Sequence, residues 1–404
     1  GFCWSPRRHR GACRGDVVAD ISELSASSEA CTNQTPALRG DCPSPWGEPL
    51  ARAQLKATPD DFQVVEIMGF EPSGEGEHLW LWVEKCGLNT DAVAADIAQR
   101  LGLSRQAVSY SGMKDRHART QQWFSVHWPA GAGTATAGVW SLGDEWLPQD
   151  SPTAQFRVLK QARSNRKLRR GAHAANQFVI ILRQLNFIGA ATRELLDERL
   201  ATITAHGVPN YIGDQRFGHG GRNIDQGLRL LAERRAGQRR RRDQRESIWL
   251  SALRSALFNR VLAARVSNQS WASYLAGDVL QLDGRGSFFQ PTDDDASWPE
   301  RLSAGLIHPT GPMPGAGEVV VHDAVAALEA ETLAPWQQII GDLAAIGLPN
   351  QRRALRLCAP DLSAQWLADD CLRLSFSLPC GAFATALLAS SIDLEESPHA
   401  LFAE

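Results

Sequence analysis

No apolar run in this chain approaches the roughly 18 consecutive positions that a bilayer-spanning helix needs, which excludes a helical membrane protein. No pair among the eight cysteines has C-x-x-C spacing, so the usual zinc and redox signatures are missing. Four of them (Cys3, Cys13, Cys31, Cys42) crowd the start near His9, which is weak ground for a metal site. Thiols scattered over 404 residues fit a reducing, cytoplasmic compartment. The start, GFCWSPRRHRGACRG, lacks a following apolar stretch and does not read as a secretory signal. Asp16, Asp20 and Glu23 count against a transit peptide. There is no internal repeat, and no heptad pattern suggests a coiled coil; a monomer is the expectation, although the sequence does not fix the oligomeric state. Nor is there an overall positive charge: the net is −3, which rules out a uniformly basic nucleic-acid binder.

What is present is ordinary globular composition, 43% hydrophobic and 22% charged, long enough for two or three domains. The positive charge is unevenly placed. Arg163 to Arg170 reads RSNRKLRR and Arg234 to Arg245 reads RRAGQRRRRDQR, while acidic residues collect at Asp293 to Asp295 and Glu395-Glu396. One charge run is usually a solvated face. Two arginine-rich runs in a mildly acidic protein point to a polyanionic partner.

Residues 1 to 45 lack periodicity and read as a disordered extension. Folded sequence begins near Trp46. Phe62 to Met68 (FQVVEIM) and Leu79 to Lys85 (LWLWVEK) have strand composition and, around a Gly-rich turn, suggest an antiparallel hairpin. Gly74-x-Gly76 in that turn is no phosphate cradle, because Glu75 and Glu77 would repel a phosphate and no P-loop lysine follows. Asn89 or Thr90 caps a helix from Asp91 to about Leu101. Asn176 to Arg183 (NQFVIILR) is a strong strand signal. Ala190 to His206 is a helix with Leu195, Leu196, Leu200 and Ile203 on its apolar side, stopped by Gly207. Helices follow near Asp225 to Arg235 and Ser247 to Val266. Residues 270 to 320 look turn-rich, and Cys371 to Pro379 is a strand. Strands and helices without repeated βαβ units argue an α+β fold.

One stretch concentrates chemistry: SGMKDRHARTQQWFSV, Ser111 to Val126. Its second half is a strand, and the first half is a polar cluster introduced by a turn-forming Ser-Gly pair. A charged loop at the mouth of a sheet is a common place for catalytic groups, although alone it more often serves solubility.

The chain resembles the TruD-type tRNA pseudouridine synthases from about Leu50 to the C-terminus. The resemblance rests on ordered blocks: KATPDDFQVVE (Lys56 to Glu66), GEGEH (Gly74 to His78), GMKDRHARTQQW, NQF (Asn176 to Phe178), VPNYIGDQRFG (Val208 to Gly218) and CGAFAT (Cys380 to Thr385). It implies isomerisation of uridine to pseudouridine in tRNA, at position 13, without metal or organic cofactor. It implies a pseudouridine-synthase-type mixed, largely antiparallel sheet with flanking helices, interrupted by an inserted α/β domain. The catalytic domain would then comprise 46–207 and 356–404, with the insertion at 208–355. The nucleophile of the family's GxKD motif matches Asp115, and the resemblance makes Lys56 its cationic partner.

The residue types suit that chemistry. A carboxylate must stay ionised in a site closed to water, where burial alone would raise its pKa, so a cation beside it is required. Lys114 and Arg116 are the alternative cations, adjacent in sequence but free to point elsewhere. Phe178 suits a ring stacked on an extruded uracil, with Asn176 as a polar reader, although without the resemblance simple core packing is the favoured reading of such a phenylalanine. Phe62 and Glu66 would border the pocket, with Phe62 equally suited to the core. Arg216 and the arginine runs would hold RNA phosphates. His117 has no second histidine at ligand spacing and reads as structural or RNA-facing. The alternative function is a tRNA-binding or chaperone protein of the same fold, which an intact Asp115 disfavours. A hydrolase using Asp115 and His117 lacks a metal set or a Ser/Cys nucleophile.

Overall fold

The computed structural model describes residues 37–129, 145–148, 153–238, 245–292 and 294–396. The first half contributes β1 (Ala51–Leu55), β2 (Phe62–Ile67), β3 (His78–Cys86), α1 (Thr90–Arg100), β4 (Val108–Tyr110), β5 (Arg119–His127), β6 (Gln155–Ser164), β7 (Ala175–Phe187) and α2 (Arg193–His206). Next come β8 (Val208–Pro209), α3 (Arg222–Arg235), α4 (Glu246–Ser267), β9 (Leu280–Leu282), β10 (Phe288–Phe289), α5 (Trp298–Ser303) and β11 (Ile307–Met313). The chain then forms α6 (Asp323–Leu333), α7 (Gln337–Ala345), β12 (Gln351–Ala354), β13 (Arg356–Leu357), β14 (Ser363–Ala368), β15 (Cys371–Pro379), α8 (Ala384–Leu388) and β16 (Ile392–Glu396).

Period-two burial builds the main sheet. Along β7, Phe178, Ile180 and Leu182 are buried in alternation, as a strand with one apolar face requires. Gln184 then takes φ of 51°, the pairing with β1 slips by one, and the buried phase moves to Leu185. This is a β-bulge, which lets β7 serve two neighbours. The sheet runs β14-β15-β7-β2-β5-β3-β6, with β1 and β16 continuing from β7 and β4 beside β5. Its pairings are antiparallel except β2 with β5 and β1 with β16. One apolar face is closed by α2, which buries Leu196, Leu200 and Ile203 against β7 residues and ends at Gly207, φ 76°. Farther along the same face α1 buries Val93 and Ile97 against Leu81, Val83 and Phe124. Each such side chain contributes about 1.5–3 kcal/mol when fully buried.

A second sheet, β10-β9-β11-β12, carries α4 against it, and β8 pairs antiparallel with β13. The two-residue partners of that last pair lie at positions 208–209 and 356–357, so the chain between them leaves and returns at one place. The described residues form one compact unit.

Four expectations change. Phe62–Met68 and Leu79–Lys85 do not form a hairpin: β5 is inserted between β2 and β3, parallel to the first and antiparallel to the second. Leu195 faces solvent, because the α2 face that meets the sheet runs through 196, 200 and 203. Part of the stretch read as turn-rich is a strand, β11, despite Pro309 and Pro312. It is buried along most of its length, and Gly311 lies where a Cβ would come 2.8 Å from Leu355 and 3.1 Å from Phe258 of α4. Finally, residues 37–45 belong to the folded body rather than to an extension: Leu38 is buried, Arg260 of α4 donates to the carbonyls of Ala37, Leu38 and Arg39, and Tyr211 donates to Pro43 O at 3.0 Å. The rest of the N-terminal stretch, 1–36, the greater part of the connection after Trp128 and the arginines Arg239–Arg242 lie outside the described residues.

Candidate active site

The loop from Ser111 to Ala118 joins β4 to β5 and is tied down through its backbone. Gly171 N donates to Ser111 O at 2.7 Å, Gln122 Nε2 to Gly112 O at 2.9 Å, and Lys114 N to Thr90 Oγ1 at 2.9 Å. Lys85 Nζ donates to the carbonyl of Asp115 at 2.6 Å. Four points of fixation within five residues leave the Asp115 side chain little choice of direction.

That carboxylate has two partners. Lys56 Nζ donates to Oδ2 at 2.5 Å, and His117 N donates to Oδ1 at 2.9 Å. Burial pushes the Asp115 carboxyl up, but the charge of Lys56, its hydrogen bond and the His117 amide outweigh burial and hold it below the usual carboxylate range. Lys56 is itself buried, with its ammonium 4.9 Å from the centre of the Phe62 ring. Lys85 is fully buried and burial depresses it to about 8, opposed by the charge of Asp115.

A pocket of about 580 Å³ opens above Asp115. Phe178 lines it, stacked on Phe376 at 5.4 Å and met edge-on by Phe62 at 6.1 Å. The register of β2 and β7 sets Val64 opposite Phe178 and Glu66 opposite Asn176, so one apolar face runs into the pocket and ends in polar groups. Across from it stand Arg216 and the segment from Cys380 to Thr385. Arg216 lies 6.0 Å from the Phe383 ring centre, and its charge adds to burial in depressing Arg353 to about 10.

Beneath the pocket lies a buried polar cluster. Glu66 accepts from Lys114 Nζ at 3.0 Å, from Ser111 Oγ at 2.8 Å and from Trp123 N at 3.1 Å. Because the Ser111 proton goes to Glu66, its oxygen receives Nδ1–H of His173, 2.9 Å away. Burial and the charge of Lys114 keep His173 below the ordinary histidine value, hence neutral at pH 7, so its Nε2 is left to accept from Asn176 Nδ2 at 3.4 Å. Asn176 Oδ1 is buried with no hydrogen-bond partner among the described residues. Gly112 completes the cluster: a Cβ there would come 2.8 Å from His173 Cε1 and 3.2 Å from Lys114 Nζ.

The structure therefore brings Lys56, Phe62, Lys114, Asp115, Asn176, Phe178 and Arg216 to one pocket. Arg116 turns away, donating to Gly87 O at 3.2 Å, and His117 contributes its backbone to the carboxylate. Glu66 lies under the pocket rather than on its border. Lys85 and His173 escaped sequence reasoning. A signal existed for the first: Leu79, Leu81, Val83 and Lys85 share one strand phase, and a charge on an apolar phase demands a buried partner. His173 sits in a loop inside the basic run's shadow and carries no periodic signal.

Among the described residues no cluster of three or more metal-ligating side chains occurs, and no helix is long and apolar enough to cross a membrane. Comparison with known proteins gives one answer. The family model of tRNA pseudouridine synthase D (TruD) matches residues 46–227 and 238–390. The chain is 43% identical to tRNA pseudouridine synthase D of Methylococcus capsulatus over 356 residues, covering 88% of this chain and 95% of the relative. It is 43% identical to the protein of that name from Pseudomonas syringae pv. syringae, over 87% of this chain and 94% of the relative. The crystal structure of a TruD protein from Methanosarcina mazei superimposes with a TM-score of 0.63 at 18% identity, over 88% of this chain and 97% of that one. With its α+β architecture around one large mixed sheet, this chain belongs to the TruD family of tRNA pseudouridine synthases.

Proposed function

We propose that this protein isomerises uridine to pseudouridine in tRNA, at position 13, with Asp115 as the nucleophile and no cofactor. The observation that carries the reading is the ionised Asp115 carboxylate, paired with Lys56 at 2.5 Å in a pocket faced by Phe178. The reaction breaks the N1–C1′ glycosidic bond, turns the uracil and joins C1′ to C5. C5 gives up its proton and N1 gains one, so composition is unchanged and no redox partner is needed. Attack at either the sugar or the base requires a carboxylate that stays charged inside a desolvated site, which Lys56 provides.

The remaining residues have matching roles. Phe178, backed by Phe376, offers a flat face to the extruded uracil, and Phe62 closes its edge. The unpartnered Asn176 Oδ1 suits an N–H of the base. Lys114 anchors the loop through Glu66, while Arg216 supplies positive charge for an RNA phosphate on the facing wall. Stacking and pocket hydrogen bonds together offset the few kcal/mol that base extrusion costs. We further propose that 46–207 and 356–404 form the catalytic domain and that 208–355 is an inserted domain, because β8 and β13 pair at its root. Asp115→Asn is expected to abolish pseudouridine formation on a tRNA transcript while leaving RNA affinity within about threefold. Full turnover by that variant would remove Asp115 from its role, and tRNA binding without turnover by the wild type would favour a chaperone.

A further inference from the structure

The loop that joins β6 to β7 has two faces. Arg170, Gly171 and His173 line the pocket above Asp115. Arg166, Lys167, Arg169 and Ala172 line a different pocket, of about 440 Å³, together with Phe70. The two sets of lining residues alternate along one short stretch of chain, 166–173. The second pocket has no acidic side chain in its wall. Its three cations make no ion pair among the described residues, whereas Arg157, Arg183, Arg265 and Arg352 each hold a carboxylate. Three exposed cations in one pocket wall give it a positive potential that attracts an anion.

The pocket is also preformed. Trp80 Nε1 donates to Arg166 O at 2.8 Å, Leu168 is buried beside Trp80, and Asn165 N donates to Ser73 Oγ at 2.9 Å. Gly76, at φ 114°, passes so close that a Cβ would lie 2.5 Å from Asn165 Cα. The GEGEH block thus props the cationic loop rather than cradling a phosphate. Phe70 is 37% exposed, unusual for a phenylalanine, and the Arg166 guanidinium lies 5.8 Å from its ring centre. An exposed ring with arginine beside it and lysine and arginine around it is the arrangement that stacks a nucleobase and holds its phosphate.

We propose that the pocket walled by Phe70, Arg166, Lys167 and Arg169 is a second nucleotide subsite, which takes the base and phosphate of an RNA residue flanking the extruded uridine. The proposal rests on the reading of the Asp115 pocket as the uridine site. It holds the strand on the far side of the loop, so that the target nucleotide is drawn over the backbone between the pockets.

The test uses the full chain and a tRNA transcript. KM, kcat and the salt dependence of RNA affinity are measured for wild type, for the triple variant Arg166→Ser/Lys167→Ser/Arg169→Ser, and for Phe70→Leu, which keeps apolar volume but loses the flat face. The triple variant is expected to make the log–log salt slope shallower by about 2. Phe70→Leu is expected to raise KM about fivefold or more, with kcat at saturating RNA within twofold. A KM and slope equal to wild type in the triple variant would overturn the subsite. So would a fall in kcat with KM unchanged in both variants, which marks a structural loop. If the wild type makes no pseudouridine, the functional reading fails, and the salt slope decides the subsite by itself.

Discussion

Lys56 holds φ at 56°, a left-handed conformation that costs a residue with a Cβ about 1–2 kcal/mol. The turn ends β1 and sets the side chain beside Asp115. Two residues on, Thr58 N donates to Asp61 Oδ2 at 3.0 Å, and Asp61 receives both Nε and Nη2 of Arg183 at 2.9 and 2.8 Å. The block KATPDDF therefore has two jobs, one residue for the site and one to hold the strained turn onto β7. The strain is tolerated because its surroundings over-determine it. The consequence for pH follows from signs. In the wild type the Asp115 carboxyl is depressed, so its contribution to stability is present above the ordinary carboxylate range and is lost as pH falls through the folded value. In Lys56→Gln the burial stays and the cation goes, so the carboxyl rises. The acid limb of the kcat/KM profile is expected to move to higher pH, with kcat at neutral pH at least tenfold lower. An unmoved limb would mean that another group sets it.

At the scale of elements, strand and helix identities were legible because their burial is periodic, as in β7 and α2. Neighbour relations were not. Composition marks β2 and β3 as strands, but nothing local says that β5 enters between them. The strand β11 was hidden because Pro309, Gly311 and Pro312 carry turn propensity, while its burial against α4 and pairing with β9 and β12 come from distant parts of the chain. Asp115 and Lys56 were legible through the family blocks, and Phe178 too. Lys85 and the Glu66–Ser111–His173 relay were not, since their meaning depends on which strand faces they share. Gly76 is a case where a local motif acts at long range. Gly76→Ala meets both the φ of 114° and the Asn165 backbone at 2.5 Å, so a loss of roughly 2–4 kcal/mol is expected, read from the denaturation midpoint. A neutral substitution would show that the GEGEH turn does not support the loop.

For the whole molecule, charge placement matters more than the net of −3. The described part of the second arginine run is already engaged: Arg234 pairs with Glu246 at 2.7 Å and Arg235 with Asp342. These pairs fix α3 to α4 and α7. Within that run, Arg239 to Arg242 are the arginines we propose for RNA phosphates. Neutralising those four is expected to weaken tRNA binding and make the salt slope shallower, by up to about 3, without altering kcat at saturating RNA. An unchanged slope would take that run out of the interface.

The pairing of β7 with β15 carries a last consequence, one about time. Phe178 leans on Phe376, and the far wall of the pocket is built from residues 380–385. A ribosome working from the N-terminus has produced Lys56, Asp115 and Phe178 long before it reaches either. Until residues 371–385 emerge, β7 has a bare edge and Asp115 faces an open sheet. The nascent chain thus holds the Asp115 carboxylate without the far wall of its pocket, and the order of translation makes β15 the step that closes it.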